Sequence, residues 1–412
     1  MRKRFLATAM AAVMVMGSLA GCGGSGKSGN SGSSSNQGGD GLTTENITLK
    51  VWESAEVKGY IEAAGAEFTK LHPNITIEFV NVELGDTTTQ IGLDGPAGVG
   101  ADVFAVPCDK LGELVTGGHI LAADSTAVSG KVLASCEKAA TYEGTIYGYP
   151  VSDETYALYY NKALISEEEV PKTWEDMIDY AAANTKGDQY GFVMDPTTGY
   201  YTILFATANG NRLFGADGTD TSSTYLNTPD AVKGFELLQE LSAVVGVPSA
   251  DIGTDIADAL FADGKAAMHI SGPWNTSIFT DAGIDYGVTT LPSLPGETTP
   301  AVSFSGARLM VVSAYSDYPA EAEAFAEFLL TEEMQKLRYD TLNCIPSVEI
   351  AVDSEAVAGF MKQLDYAVPM PSVPAMAAFW ETMTAASKNI WDGADVQSEL
   401  DAADSAILSS IQ

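Results

Sequence analysis

The stretch YEGTIYGYPVSDETYALYYNKAL, Tyr142–Leu164, is rich in tyrosine and follows no helical period. It reads as a strand, a crossing segment near Val151–Glu154, and a second strand ending at Asn161. A crossing segment joins two bodies, so the sequence on either side of it decides the fold.

Upstream, Ile47–Trp52 (ITLKVW) alternates as a strand and Tyr60–Leu71 has helical spacing, with His72-Pro73-Asn74 as its stop. Ile75–Val80 alternates again, and Ala101–Val106 is a short apolar strand followed by a helix from about Asp109 to Thr116. Strand, helix and strand at this spacing predict an α/β layer with parallel strands. Ligands gather at the carboxyl ends of such strands, where Asp109 and Lys110 fall, just past Val106. Downstream, Thr173 opens a helix with Asp176 at its third position, a weak capping box. Helices are predicted at 229–245, 255–262, 319–330, 332–340, 353–366, 374–391 and 395–411. Strands are predicted at Ala266–Ile270, Tyr286–Leu291 and Arg308–Ser313. Alternation early and helices late give two α/β domains whose chain crosses between them more than once.

Composition bounds the function. Hydrophobic residues make up 46% of the chain, with 15 Phe, 17 Tyr and 5 Trp, ample for packed cores. The formal charge is −34, or −37 without Arg2, Lys3 and Arg4. Most of such a surface repels nucleic acid and anionic ligands, so neutral ligands are favoured. His72, His119 and His269 are not at metal-ligand spacing, and neither H-E-x-x-H nor G-x-S-x-G occurs. No cofactor and no metal are expected. Cys108, Cys136 and Cys344 lack C-x-x-C spacing and are odd in number, which leaves buried thiols or a single disulfide.

The N-terminus has an export pattern. Arg2-Lys3-Arg4 precede an apolar run, Phe5–Met16, too short for the roughly 18–20 residues of a membrane span. Leu19-Ala20-Gly21-Cys22 then resembles a lipobox, in which the Cys22 sulfur takes a diacylglycerol. Two acyl chains suffice for stable anchoring. Gly21, Gly26, Lys27 and Ser28 also match a phosphate-loop pattern, but the Gly/Ser-rich sequence after Ser28 offers no helix to complete one. Residues 23 to about 44 read as a flexible tether with an average reach of roughly 25 Å.

With these elements placed, the chain resembles the solute-binding proteins of ABC importers, most of all their maltose/maltodextrin branch. The likeness rests on YGYPVSDETYALYYNKAL, PKTWEDM, ADALFADGKAAMHISGPW (Ala257–Trp274), YGVTTLPSLPG (286–296) and MPSVPAMAAFWETM (370–383). It implies an α/β, two-lobed periplasmic-binding-protein-like fold of type II, each lobe a sheet flanked by helices, with a ligand cleft between the lobes. The implied limits are a signal peptide at 1–21 and a lipid anchor and linker at 22–45. The N-terminal lobe would take 46–152 plus 307–352, and the C-terminal lobe 153–304 plus 355–412. Crossings would fall near 151–156, 301–308 and 350–356. The implied protein is an anchored monomer on the outer face of a Gram-positive cell membrane. It would bind a maltooligosaccharide, dock on permease subunits, contact no nucleic acid and catalyse nothing.

Sugars offer C–H faces to aromatic rings and hydroxyl edges to carboxylates, Lys and amides. In the helix from Pro374, Phe379, Met383, Ala386 and Ile390 form a core stripe. Trp380 lies about 100° from that stripe, beside Thr384 and Ser387, on an edge suited to a cleft. Trp274, after Gly272-Pro273, sits on a turn that could face the cleft. Tyr200 corresponds by Asp195-Pro196…Tyr200-Tyr201 to a stacking tyrosine of the family. Glu154 matches a hydroxyl-binding glutamate, and Asp109 with Lys110 an acidic-then-basic pair. Lys in place of the family's Arg loses the planar fork. Glu53, Glu56 and Lys58 follow the first strand and could reach the ligand, and Met370 is expected on the pocket wall. Two departures stand out: Val106 where relatives have a stacking tryptophan, and Cys108 where a histidine is usual. Other readings are a binding protein of the same fold for a different neutral oligosaccharide, and a surface glycan hydrolase.

Overall fold

The structure is a computed structural model and describes residues 41–411. The signal segment, Cys22 and most of the linker lie outside the described residues. Met1–Thr43 and Thr44–Gln412 are separate units, and the fold below is that of the second.

The main strands are β1 (Ile47–Glu53), β2 (Ile75–Asn81), β3 (Val103–Pro107), β4 (Tyr149–Thr155), β5 (Ala157–Asn161), β6 (Met268–Ser271), β7 (Tyr286–Thr289), β8 (Phe304–Val312) and β9 (Val368–Pro369). The first sheet runs β9-β8-β3-β1-β2, and β4 also pairs with β8. β1 pairs in parallel with β2 and β3, the arrangement that strand–helix–strand spacing predicts. β8 is antiparallel to β3 and β4. Flanked on both sides, β8 is buried along its whole length, FSGARLMVV. The second sheet is β6-β5-β7, and both outer strands run antiparallel to β5.

The crossing falls later than the sequence reading places it. Val151–Glu154 are not a free passage but strand, with Asp153 opposite Ala307 and Glu154 opposite Gly306. β4 stays in the first sheet to Thr155, while β5 joins the second sheet at Ala157, leaving Tyr156 alone between the two ladders. By the same pairing β8 belongs to the first sheet from Phe304, and β9 returns to it beside Phe304 and Ser305. Sheet partnership therefore moves the lobe limits from 152/153 and 304/307 to Tyr156 and Phe304. It also puts Val368–Pro369 with the first lobe.

The principal helices are α1 (Lys58–Leu71), α2 (Trp174–Asn184), α3 (Pro229–Val245), α4 (Glu332–Leu342), α5 (Glu355–Leu364), α6 (Met376–Trp391) and α7 (Val396–Ser409). Thr173 caps α2 by accepting from the Asp176 N–H at 3.1 Å. α3 starts on Thr228-Pro229 and stops at Gly246, whose φ of 68° is the left-handed conformation glycine adopts without strain. α4 packs on α1 of the first lobe, and α5 packs on β7 and β5 of the second. The chain between α4 and α5 is therefore the third passage, tied to β4 by a bridge from Ile345 to Asp153. The second lobe's core gathers Trp174, Phe205, Phe235, Phe379, Met383, Ile390 and Leu400, all buried. In the first lobe Leu49, Val51, Ile61, Phe68, Phe104 and Leu309 are buried. Truncating one such aromatic, Phe379→Ala for instance, costs about 3–5 kcal/mol.

Candidate functional site

α6 turns Phe379, Met383, Ala386 and Ile390 into the core. Trp380 stands off that stripe, half-buried, with the Thr384 hydroxyl donating to its carbonyl at 2.8 Å. Ser387 is not on the cleft edge; it is buried and shares a 2.8 Å hydrogen bond with the Thr202 hydroxyl. The Trp380 indole N–H donates to Asp109 Oδ2 at 3.0 Å. Asp109 lies just past β3, so this bond joins the two lobes across the cleft.

The other rings extend from that bond as a wall. Trp380 lies 6.2 Å from Phe304, Phe304 6.4 Å from Tyr200, and Tyr200 6.2 Å from Trp274, centroid to centroid. Tyr156, the crossing residue, meets Tyr200 edge-on at 5.0 Å. Trp274 folds back over Gly272, where a Cβ would stand 2.1 Å from its ring. Trp380, Tyr200 and Trp274, each half-buried, offer apolar faces of the kind that C–H surfaces of a sugar stack on, whereas Phe304 is buried among them.

At the Trp274 end a small, partly open cavity of about 50 Å³ is lined by Glu56, Glu154, Trp274, Arg308, Arg338 and Cys344, among others. Arg308 reaches from β8 to Glu53 Oε2 at 2.8 Å and Glu56 Oε1 at 3.3 Å, with the Ser54 hydroxyl at 3.1 Å. Glu53 is wholly buried; its Oε2 accepts from Arg308 and from the Ser54 N–H, while its Oε1 has no partner. Lys58 stays exposed, 3.7 Å from Glu62 and 6.0 Å from the centre of the Phe79 ring, and the structure does not bring it to the others. Lys110 sits 3.5 Å from Glu113. Met370 lies against Gly306, on the wall of a separate cavity of about 680 Å³ bounded by residues of 134–144, 212–219 and 368–372. That larger cavity touches Phe304 and Cys108 but none of Trp380, Trp274, Tyr200, Glu154 or Asp109. Volume and chemistry thus part company, and the aromatic wall with its carboxylates is the better site.

Burial raises Asp109 above the usual carboxylate range, against the pull of Lys110 and the Trp380 N–H. Burial also raises Glu154, opposed by Arg308 and Arg338. Cys108, Cys136 and Cys344 are all free thiols. Among the described residues no group of three His, Cys, Asp or Glu could hold a metal. Sequence reasoning missed Phe304 and Arg308. The signal for Arg308 was a lone charge in the apolar run FSGARLMVV, which asks for a buried partner.

Two α/β lobes, three chain passages and a cleft lined by rings and carboxylates define a periplasmic-binding-protein fold of type II. Residues 63–362 match the model of the bacterial extracellular solute-binding proteins, and the chain belongs to that family. It is 34% identical to the galactooligosaccharide-binding protein of Bacillus subtilis (strain 168), over 88% of this chain and 89% of that one. It is 30% identical to the maltodextrin-binding protein MdxE of the same organism, over 84% and 85%. A cyclo/maltodextrin-binding protein complexed with maltotetraose superposes with a TM-score of 0.76 at 33% identity, over 90% of this chain and 99% of that one.

Proposed function

We propose that this chain captures a linear, neutral oligosaccharide of the maltodextrin type and delivers it to an ABC import permease. The carrying observation is the wall Trp274–Tyr200–Phe304–Trp380, tied across the cleft by the Trp380–Asp109 bond. Rings supply faces for sugar C–H surfaces, while Asp109 and Glu154 supply hydroxyl acceptors. The site groups come from both lobes, so ligand held between them favours the shut form by hinge closure. Relatives named for maltodextrin and maltooligosaccharide binding, over most of the chain's length, support this reading.

Galacto-oligosaccharide is the second reading. It is favoured by the 34% identity to a protein named for that ligand and by Val106, where the family's stacking tryptophan is missing. Titration calorimetry with maltotriose, β-1,4-galactotriose and xylotriose separates the two; no heat with maltotriose removes the first. Hours of incubation with maltodextrin should leave its chain length unchanged, and shorter products would point to a hydrolase instead. Lipidation of Cys22, a monomeric state and a place on the outer membrane face belong to the same proposal. Mass spectrometry of the membrane-extracted protein tests the first of these.

A further inference from the structure

Three buried polar side chains form one directed hydrogen-bonded chain where the lobes join. Thr155 is the last residue of β4, Ser303 immediately precedes β8, and Gln363 lies near the end of α5. The Gln363 amide donates to the Ala301 carbonyl at 3.0 Å and to the Ser303 hydroxyl at 3.1 Å. Its Oε1 accepts from the Leu291 N–H at 2.9 Å. The Thr155 hydroxyl donates to the Phe304 carbonyl at 2.8 Å and lies 2.7 Å from the Ser303 hydroxyl. A hydroxyl has one proton to donate, and that of Thr155 goes to Phe304, so Ser303 donates to Thr155. The order is therefore Gln363 to Ser303 to Thr155 to Phe304, and every member is satisfied.

What this chain ties together is the hinge. Thr155 stands one residue before Tyr156, the residue left between the two ladders at the first passage. Ser303 stands one residue before Phe304 enters the first sheet at the second passage. Gln363 belongs to a helix of the second lobe, packed on β5 and β7. The return of the chain from α5 to β9 is held by the same serine, whose carbonyl accepts from the Val368 N–H at 2.9 Å. The start of α5 is fastened in turn to α4, at the third passage. There the Tyr339 hydroxyl accepts from the Asp353 and Ser354 N–H groups at 2.9 and 2.8 Å and donates to Asp353 Oδ1 at 2.7 Å. Passages left untied would each turn about their own dihedrals, and the lobes would meet in many orientations.

We propose that Gln363 is a positioning residue that makes the passages turn as one hinge. Through that hinge it sets how Trp274 and Tyr200 of the second lobe meet Asp109 and Glu154 of the first. None of its three partners, Leu291, Ala301 and Ser303, is one of those site groups. Its effect on affinity rests on the sugar-binding reading above, while its effect on the hinge does not. With the chain cut, the lobes sample orientations in which the site is incomplete. Only a fraction of molecules is then competent, and apparent affinity falls with that fraction.

The test joins calorimetry with maltotriose and β-1,4-galactotriose to amide hydrogen exchange of the sugar-free protein, read by peptide mass spectrometry. Thr155→Val keeps the side chain's shape and removes the hydroxyl, whereas Thr155→Ser keeps the hydroxyl. Thr155→Val should weaken binding by about fivefold or more. It should also speed exchange across 361–370 by about tenfold or more, although its hydroxyl shares no bond with that segment. Thr155→Ser should match the wild type in both. Gln363→Met should match Thr155→Val, and the double variant should bind about as weakly as the weaker single one, because one chain is cut either way. A Thr155→Val protein, folded by its melting temperature, that keeps wild-type exchange across 361–370 or wild-type affinity overturns the proposal. An additive double variant overturns it too. Should Gln363→Met fail to fold, the two Thr155 variants decide alone. A wild type that binds neither sugar overturns the sugar reading instead, and exchange then decides the hinge.

Discussion

Trp380 and Asp109 come from opposite lobes, and the 3.0 Å bond from the indole N–H to the carboxylate spans the cleft between them. On the proposed reading the same two groups meet the sugar. Trp380→Ala removes one platform of the wall and a hydrogen-bond donor, a loss of about 2–3 kcal/mol, roughly 30- to 150-fold in affinity. Trp380→Phe keeps a ring and should recover most of it. Calorimetry with the cognate sugar measures both, and an unchanged Kd in the alanine variant would show that Trp380 faces elsewhere.

Acid should stabilise the ligand-free protein through Asp109 and Glu154. Burial raises both in the folded state above the range they have when unfolded. The folded state then holds more protons across the window from the ordinary carboxylate range up to the raised values. Stability falls as pH rises through that window and grows as pH is lowered through it. Relief of repulsion in a chain of net charge −34 acts in the same direction, in the variants as well. The diagnostic is therefore a difference. Melting temperature against pH should be flatter for Asp109→Asn and Glu154→Gln than for the wild type, and parallel curves would sink the idea.

Gly272 is needed for the orientation of Trp274 and not for its own backbone. Its φ of −107° and ψ of −178° suit any residue, but a Cβ would sit 2.1 Å from the Trp274 ring. Gly272→Ala should swing that ring out of place. The expected result is a tenfold or greater loss of sugar affinity with a melting temperature close to wild type. Equal affinity would mean that the ring's position against Gly272 is irrelevant to binding.

Much of the fold could be read from local pattern. The alternation of Ile47–Trp52 and Ile75–Val80 and the core stripe of α6 are period signals, and both hold in three dimensions. The end of β4 was not legible, because strand pairing with β8 depends on residues some 150 positions away. Ser387 was misplaced for a related reason. At a helix edge a hydroxyl suits a cleft or a core equally, and only Thr202 opposite it decides. Around the site, ring residues were visible by motif. The capture of Glu53 by Arg308 was not, since it joins positions 255 apart in sequence.

The cysteines give a chemical check on how tightly the first lobe is packed. Burial pushes the Cys108 thiol up to about 12 and lifts Cys136 well above its ordinary value. At pH 8 only on the order of one Cys108 in ten thousand is then thiolate, the form that alkylates. Iodoacetamide should leave Cys108 and Cys136 unmodified for hours in native buffer and label both within minutes in guanidinium. Peptide mass spectrometry reads the result. Rapid native labelling of either would mean that its surroundings open far more often than the packing implies.

The Glu53–Arg308 pair is a test of the fold. Both side chains are buried, at 0% and 6% exposure, so removing Arg308 leaves the Glu53 charge without its ion partner, whereas removing Glu53 leaves Arg308 still paired with Glu56 at 3.3 Å. Arg308→Met should therefore destabilise by about 3–5 kcal/mol, and Glu53→Leu by less. Glu53→Leu/Arg308→Met removes both charges and should cost much less than the sum of the two. Denaturant unfolding of the four proteins gives the coupling directly, and simple additivity would mean that the pair contributes nothing to the fold.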